Sequence, residues 1–190
     1  IAKLCAQSKV KKFIHVSAIG ASKDSKSKYQ QSKFLGEEKA LSNFDKTVII
    51  RPSVVIGNED NFTNLFAKLS LSPIIPVVNV NYKFEPIFVN DVARAILKAI
   101  ETKNNEGKIY ELGGGRVISF GDMIKLILST IGKKRIVADV PMTLAKIQSS
   151  LLSILPIDPI ITKDQCLILS EKDNVVSGDH LTLKDLNIKP

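Results

Sequence analysis

The chain has 190 residues, 44% of them hydrophobic and 24% charged. That is enough for one domain, at most two, with a buried core, and it excludes a disordered tail. The formal net charge of +8 sets 27 basic residues against 19 acidic ones, but only Arg51, Arg94, Arg116 and Arg135 are arginines. Surfaces that read bases or clamp phosphates lean on arginine forks, and the lysines here are scattered, so no nucleic-acid partner is expected. The 24 isoleucines, with many Lys and Asn, fit the bias of an AT-rich genome. No apolar run reaches the roughly 18 residues of a membrane-spanning helix, and no signal-peptide pattern is visible. Two cysteines, Cys5 and Cys166, without a CxxC or HxxxH cluster, exclude a disulfide framework and give no metal ligand set. They fit a reducing, cytoplasmic compartment.

Residues 1–6 read as the last turns of an amphipathic helix, with Lys9, Lys11 and Lys12 suited to its C-terminal end. Phe13–Val16 is a short apolar strand interrupted only by His15, a type typical of parallel sheets covered on both faces; His15 reads as a hydrogen-bonded core residue. A helix follows over 32–41, then a second buried strand over 47–50. The pattern of 90–100 predicts a helix capped by Asn90 or Asp91, with Val92, Ala93, Ile96, Leu97 and Ile100 on one face. A strand over 108–112 runs into Gly113-Gly114-Gly115, read as a flexible turn. Ser119 caps a helix from Phe120 to Ile131 that ends near Gly132. Strands alternating with helices imply a doubly wound parallel α/β sheet. From Pro141 the pattern changes: an apolar helix over 142–155, then Pro156, Pro159 and a mixed tail in which His180 reads as exposed. The expected division is residues 1–140, the C-terminal part of such a sheet, and 141–190, a small region on the substrate or partner side.

The chemistry concentrates after the first strand. That strand ends in Ser17, and twelve residues later comes Tyr29-Gln-Gln-Ser-Lys33. Tyr and Lys four apart share a helix face. An ammonium near a phenol favours the phenolate and lowers its pKa from about 10, which suits a general acid or base. Strand ends of open α/β sheets are where ligands bind.

HVSAIG at 15–20, Tyr29 and Lys33 with GEE at 36–38, RPSVVIG at 51–57, PIFVNDVA at 86–93 and YELGGG at 110–115 stand in an order that resembles the short-chain dehydrogenase/reductase superfamily, in its extended or atypical, epimerase/dehydratase-like branch. The resemblance spans roughly residues 1–130. It implies a Rossmann-type domain for NAD(H) or NADP(H), with Tyr29 as catalytic acid/base and Lys33 on the nicotinamide ribose. Ser17 would orient a carbonyl, and Pro52 and Ser53 would line the nicotinamide pocket. Extended members often carry two hydroxyl residues at this strand end and use the second, which here is Ala18. Either position can therefore be the catalytic slot. The phosphate-cradling GxxGxxG is not in this sequence, and Gly113–Gly115 has neither its spacing nor its place on a first βα turn. The segment that would carry the fingerprint is expected before Ile1, either because this is a fragment of a longer chain or because the reading frame has lost its first half, with dinucleotide binding impaired in this chain alone.

A narrower resemblance rests on GNEDNF at 57–62, LPIDPIITKDQ at 155–165, DNV at 173–175 and LTLKDLNI at 181–188. These phrases resemble the nucleotide-binding accessory subunit of respiratory complex I and its bacterial relatives. The implication is an accessory or assembly protein that binds NADPH, in preference to NAD, as a mainly structural cofactor. Its expected partners are subunits of a respiratory NADH dehydrogenase, with peripheral association at the inner membrane. The alternative from the same resemblance is an active NAD(P)-dependent reductase, epimerase or dehydratase using Tyr29 and Lys33.

Overall fold

The computed structural model describes residues 1–145 and 161–190. In chain order these form α1 (Ala2–Gln7), β1 (Phe13–Val16), α2 (Lys28–Asn43), β2 (Thr47–Pro52), β3 (Val55–Ile56), α3 (Asn61–Leu69), β4 (Ile74–Val78), β5 (Lys83–Phe84), β6 (Ile87–Phe88), α4 (Val89–Glu101), β7 (Ile109–Leu112), β8 (Ile118–Ser119), α5 (Phe120–Thr130), β9 (Ile136–Val140), α6 (Lys163–Ile168) and a short 3-10 helix, Leu183–Leu186. The contacts divide into two units. One holds Ile1–Val55, Glu85–Arg116 and Asn174–Pro190; the other holds Ile56–Phe84 and Val117–Asp173. This differs from a single cut at residue 140. Most of the region expected to be helical over 142–155, with the phrase at 155–160, lies outside the described residues.

The first unit is built on the parallel sheet β1-β2-β7. Every residue of β2 is buried, and its alternation assigns the two faces. Thr47 Oγ1 donates to the carbonyls of Ala40 and Phe44 of the α2 region, and Arg51 on the same face meets Glu37 of α2. Val48 and Ile50 on the opposite face join Val92, Ala95 and Ala99 of α4, and Leu183, Leu186 and Ile188 of the tail. A strand covered on both faces needs apolar residues at successive positions, which is why 47–50 shows no alternation in sequence. β1 is different. Among the described residues it pairs with β2 alone, and Val16 is 45% exposed. His15 is only half-buried. A Cβ built on Gly36 would come within 3.2 Å of its Nε2, so α2 carries a glycine where it passes the imidazole.

Three further expectations are corrected. The buried face of α4 is Val92, Ala95 and Ala99, and Leu97 and Ile100 are exposed. Small alanines let the helix approach the sheet, which rotates the larger aliphatics outward. No side chain of Asn90 or Asp91 caps the helix: its N-cap is Phe88, and Asp91 pairs with Arg94 in the first turn. Lys12 does not serve α1. Its ammonium donates to the carbonyls of Ala99 and Thr102 and to Asn105 Oδ1, closing the C-terminal end of α4, where free carbonyls need donors.

The tail 174–190 belongs to this unit because its apolar residues are buried there. Leu181 bridges Tyr110 in parallel, and the backbone NH of Glu111 donates to its carbonyl. Thr182 opens the 3-10 helix with a capping box, and Asn187 closes it in the left-handed region.

The second unit pairs β4 with β9 in parallel and β5 with β8 antiparallel. Its core is a set of rings: Phe62, Phe66 and Phe84 stand 5.8, 5.6 and 5.4 Å from Phe120. The turn at 57–60 is a helix start. Asp60 accepts from the backbone NH of Thr63 and of Gly57. Burial works against its charge, but these donors and the Thr63 hydroxyl hold its carboxyl below the ordinary value. Thr162 and Gln165 form a capping box for α6 in the same way.

Candidate functional site

Ser17 follows β1 directly, its NH donating to the carbonyl of Ile50 on β2. It is 4% exposed, and its hydroxyl is the buried side-chain oxygen that has no hydrogen-bond partner among the described residues. A buried polar atom left unmatched is costly, and at a strand end it marks a place for an absent partner. Ala18 holds the position after it. The chain then turns through Gly20, whose positive φ of 88° leaves room for Gln30; a side chain there would overlap the Gln30 amide. Ser25 donates to Gln30 Oε1, and Ser27 caps α2 by accepting from the Gln30 NH. The loop is therefore fastened to the first turn of α2, the turn that carries Tyr29.

Within α2, Lys33 Nζ stands over the Tyr29 ring, 5.5 Å from its centroid. The i, i+4 spacing brings the two together as the helix period requires. The phenol is half-exposed, and burial pushes its pKa above 10 rather than below it. Desolvation disfavours the phenolate, against the lowering expected from the neighbouring ammonium. His15, on the strand behind, is shifted down from 6.5 by burial, with Lys33 adding to the shift and Glu37 opposing it.

Pro52 ends β2, its carbonyl accepting from the NH of Ile19 at the same end of the sheet as Ser17. Ser53 is buried, and its hydroxyl meets the carbonyl oxygen and Oδ1 of Asn174 at 2.9 and 2.6 Å. It ties the tail to the strand end. The structure thus brings Tyr29 to Lys33, sets Ser17 and Pro52 on adjacent strand ends, and commits Ser53 to a structural bond.

The buried charge beneath the site was not read from the sequence. Arg51 makes a two-pronged pair with Glu37, 2.8 and 2.6 Å, and approaches Glu111 at 3.7 Å. Both carboxylates are about 3% exposed. Burial opposes the guanidinium's charge, but the two carboxylates outweigh it and raise its pKa. His180, expected to be exposed, is half-buried with Nε2 3.1 Å from the guanidinium; since arginine only donates, that nitrogen accepts. Ser177 donates its NH to Glu111. The signal was present in GEE and RPS, but nothing in spacing alone says that residues 37, 51 and 111 meet.

The glycine triplet is not a flexible turn. A Cβ on Gly114 would overlap the carbonyl of Pro86, and one on Gly113 would overlap the Glu85 carboxylate. That carboxylate accepts from the NH groups of Gly115 and Val176.

The second unit holds a cavity of about 270 Å³ lined by Phe62, Phe66, Phe84, Phe120, Leu169 and other apolar groups, with Gln165 as its polar side chain among the described residues. Among the described residues no group of His, Cys, Asp or Glu is arranged to hold a metal ion. No helix among them is long and apolar enough to cross a membrane.

Residues 20–154 match the model of the RmlD substrate binding domain. The chain belongs to that family. Among curated proteins it is 34% identical over 94% of its length to the mitochondrial NADH dehydrogenase [ubiquinone] 1 alpha subcomplex subunit 9 of Dictyostelium discoideum, and 31% identical over 100% to that of Mus musculus. In both cases it spans 51% of the relative, about half its length. The structure resembles dTDP-4-dehydrorhamnose reductase of Bacillus anthracis in complex with NADP, with a TM-score of 0.64 and 19% identity over 87% of this chain and 66% of that one. The fold is therefore Rossmann-type, and this chain carries the part built on β1, β2 and β7.

Proposed function

We propose that this chain is the C-terminal part of an accessory or assembly protein of a respiratory NADH dehydrogenase, binding a nicotinamide dinucleotide as a mainly structural group. The observation that carries this reading is identity above 30% along essentially the whole chain with subunits of that name from an amoeba and a mouse. In this reading NADPH is preferred, Tyr29 and Lys33 hold the nicotinamide ribose, and Pro52 and Ser53 border the ring. The unmatched Ser17 hydroxyl fits that group, since it is a buried donor waiting for an acceptor. The dinucleotide, when bound, would supply hydride chemistry.

The setting follows as part of the same proposal: a bacterial cytoplasmic protein held peripherally at the inner membrane. The isolated 190-residue chain binds NADPH weakly, because no phosphate-cradling glycine fingerprint is encoded in it.

The test is native electrophoresis of membranes solubilised in mild detergent, with the intact protein tagged. The reading expects the tag to migrate with NADH-oxidising activity, whereas migration only as a free protein would contradict it. The second reading, an active reductase, epimerase or dehydratase, is favoured by the Tyr29–Lys33 pair and the strand-end hydroxyl of Ser17. There Tyr29 would pass its proton to a substrate oxygen that Ser17 orients. Turnover that Tyr29→Phe abolishes would support it.

A further inference from the structure

One end of the second unit carries large aliphatic side chains in water. β4 and β9 start side by side, with Ile74 paired to Ile136, so the two side chains point from the same face of the sheet. They are 49% and 64% exposed. Leu71, three residues before β4, is 85% exposed, and Pro73 and Ile131 beside these strands are exposed as well. The strand starts and the loops that feed them are locked together: Arg135 donates from Nε to the carbonyl of Ser70, and the NH of Ile136 donates to that of Pro73. This cluster is therefore built by regular elements and fixed loops. A monomer in water gains nothing from holding four large aliphatics there.

Along the segments that build the cluster the charge has one sign. Residues 61–84 and 123–138 contain no Asp or Glu, while they carry Lys68, Lys83, Lys125, Lys133, Lys134 and Arg135. Lys68, Lys133 and Lys134 are exposed and make no ion pair among the described residues. Part of that charge answers the C-terminal ends of α3 and α5, where cations are favoured. This accounts for the lysines but not for the bare Leu71 and Ile136. Aliphatic side chains at a loop tip beside the exposed Lys68, Lys133 and Lys134 match the two layers of an anionic bilayer surface, in which acyl chains lie below phosphate headgroups.

We propose that the end of this unit formed by Leu71, Ile74 and Ile136, with Lys68, Lys133 and Lys134, docks on an anionic lipid surface. Leu71 and Ile136 enter the headgroup–acyl boundary, and the lysines stand at the phosphates. This deepens the peripheral-membrane part of the proposed function and rests on it, but its test needs no dehydrogenase.

The experiment is co-sedimentation of the intact protein with vesicles of phosphatidylcholine alone and of phosphatidylcholine with 30% phosphatidylglycerol. The proposal expects binding to the anionic vesicles that weakens as salt rises, and little to the neutral ones. Lys133→Gln with Lys134→Gln should lower the affinity about tenfold or more, each cation near such a surface being worth about 1 kcal/mol. Leu71→Ser with Ile136→Ser should lower it comparably at unchanged salt dependence. These positions are exposed, so thermal unfolding of both variants should match the parent. Leu97→Ser, which removes an exposed aliphatic from α4, should bind as the parent does. Failure of the parent to sediment with anionic vesicles, or sedimentation unaffected by either double variant, would overturn the proposal. So would a cross-link from position 71 or 136 to a dehydrogenase subunit in a protein that ignores vesicles, which would make the patch a protein interface. Migration with the dehydrogenase on native gels is read separately, so either idea can fall alone.

Discussion

The two units bury different things. The first places an arginine, two glutamates and an unmatched serine hydroxyl beneath and beside its sheet. The second fills its interior with phenylalanine rings around an apolar cavity. Buried charge is expensive and persists only where every member is paired. Apolar burial tolerates imprecision and leaves room. The first unit is thus a positioning device, in which Arg51 fixes α2 to β2 and to the tail and so sets where Tyr29 and Lys33 stand. The second is an apolar body whose cavity carries Gln165 as the polar side chain among its described lining residues.

The contrast can be broken hardest at Arg51. Arg51→Met leaves Glu37 and Glu111 buried without their cation and should cost about 3–5 kcal/mol. The measure is urea denaturation followed by circular dichroism; a loss below 1 kcal/mol would mean that the network is not what holds the first unit. In the second unit the comparable break is Phe120→Ala, which removes the ring meeting Phe62, Phe66 and Phe84 and should cost about 3 kcal/mol. This loss should be independent of salt and pH. Gly114→Ala comes next, at about 1–3 kcal/mol, because its Cβ meets the Pro86 backbone rather than a movable side chain. Were the triplet only a flexible turn, the same change would be neutral in a thermal melt.

The smallest effect sharpens the electrostatics. Burial lowers the folded-state pKa of His15 below 6.5, so the folded chain binds fewer protons than the unfolded one in that range. The contribution is fully present above about 6.5 and is lost as pH falls through the folded value. His15→Gln should flatten the decline in stability below pH 6.5, as read from melts at successive pH values. An unchanged slope would place the titrating group elsewhere.

Strands were legible where composition alone sufficed: Phe13–Val16 and Thr47–Ile50 are apolar runs, and both are strands. The start of α5 was legible because Ser119 is a cap with a side-chain acceptor. α3 and β4 were missed because 61–78 mixes short apolar clusters with Pro73 and Pro76, which obscure any period. The phrases at 57–62, 155–165 and 181–188 carry helix caps at Asp60, Thr162, Thr182 and Asn187 among the described residues. At the site, the Tyr29–Lys33 pair was legible from the helix period. The direction of the Tyr29 shift was not, since desolvation is a property of the folded surroundings. The Arg51 network joins residues up to 129 apart in sequence, and no local pattern encodes it.

The central claim, that the dinucleotide is held and not turned over, is tested most directly by counting it. The intact protein is purified and incubated with excess carbonyl and nucleotide-sugar substrates, and the nicotinamide released on denaturation is quantified by absorbance and fluorescence. The account predicts about one reduced dinucleotide per protein, unchanged by incubation and depleted in the Lys33→Met variant. Oxidation of the bound dinucleotide upon substrate addition, or none retained by the parent protein, would contradict it.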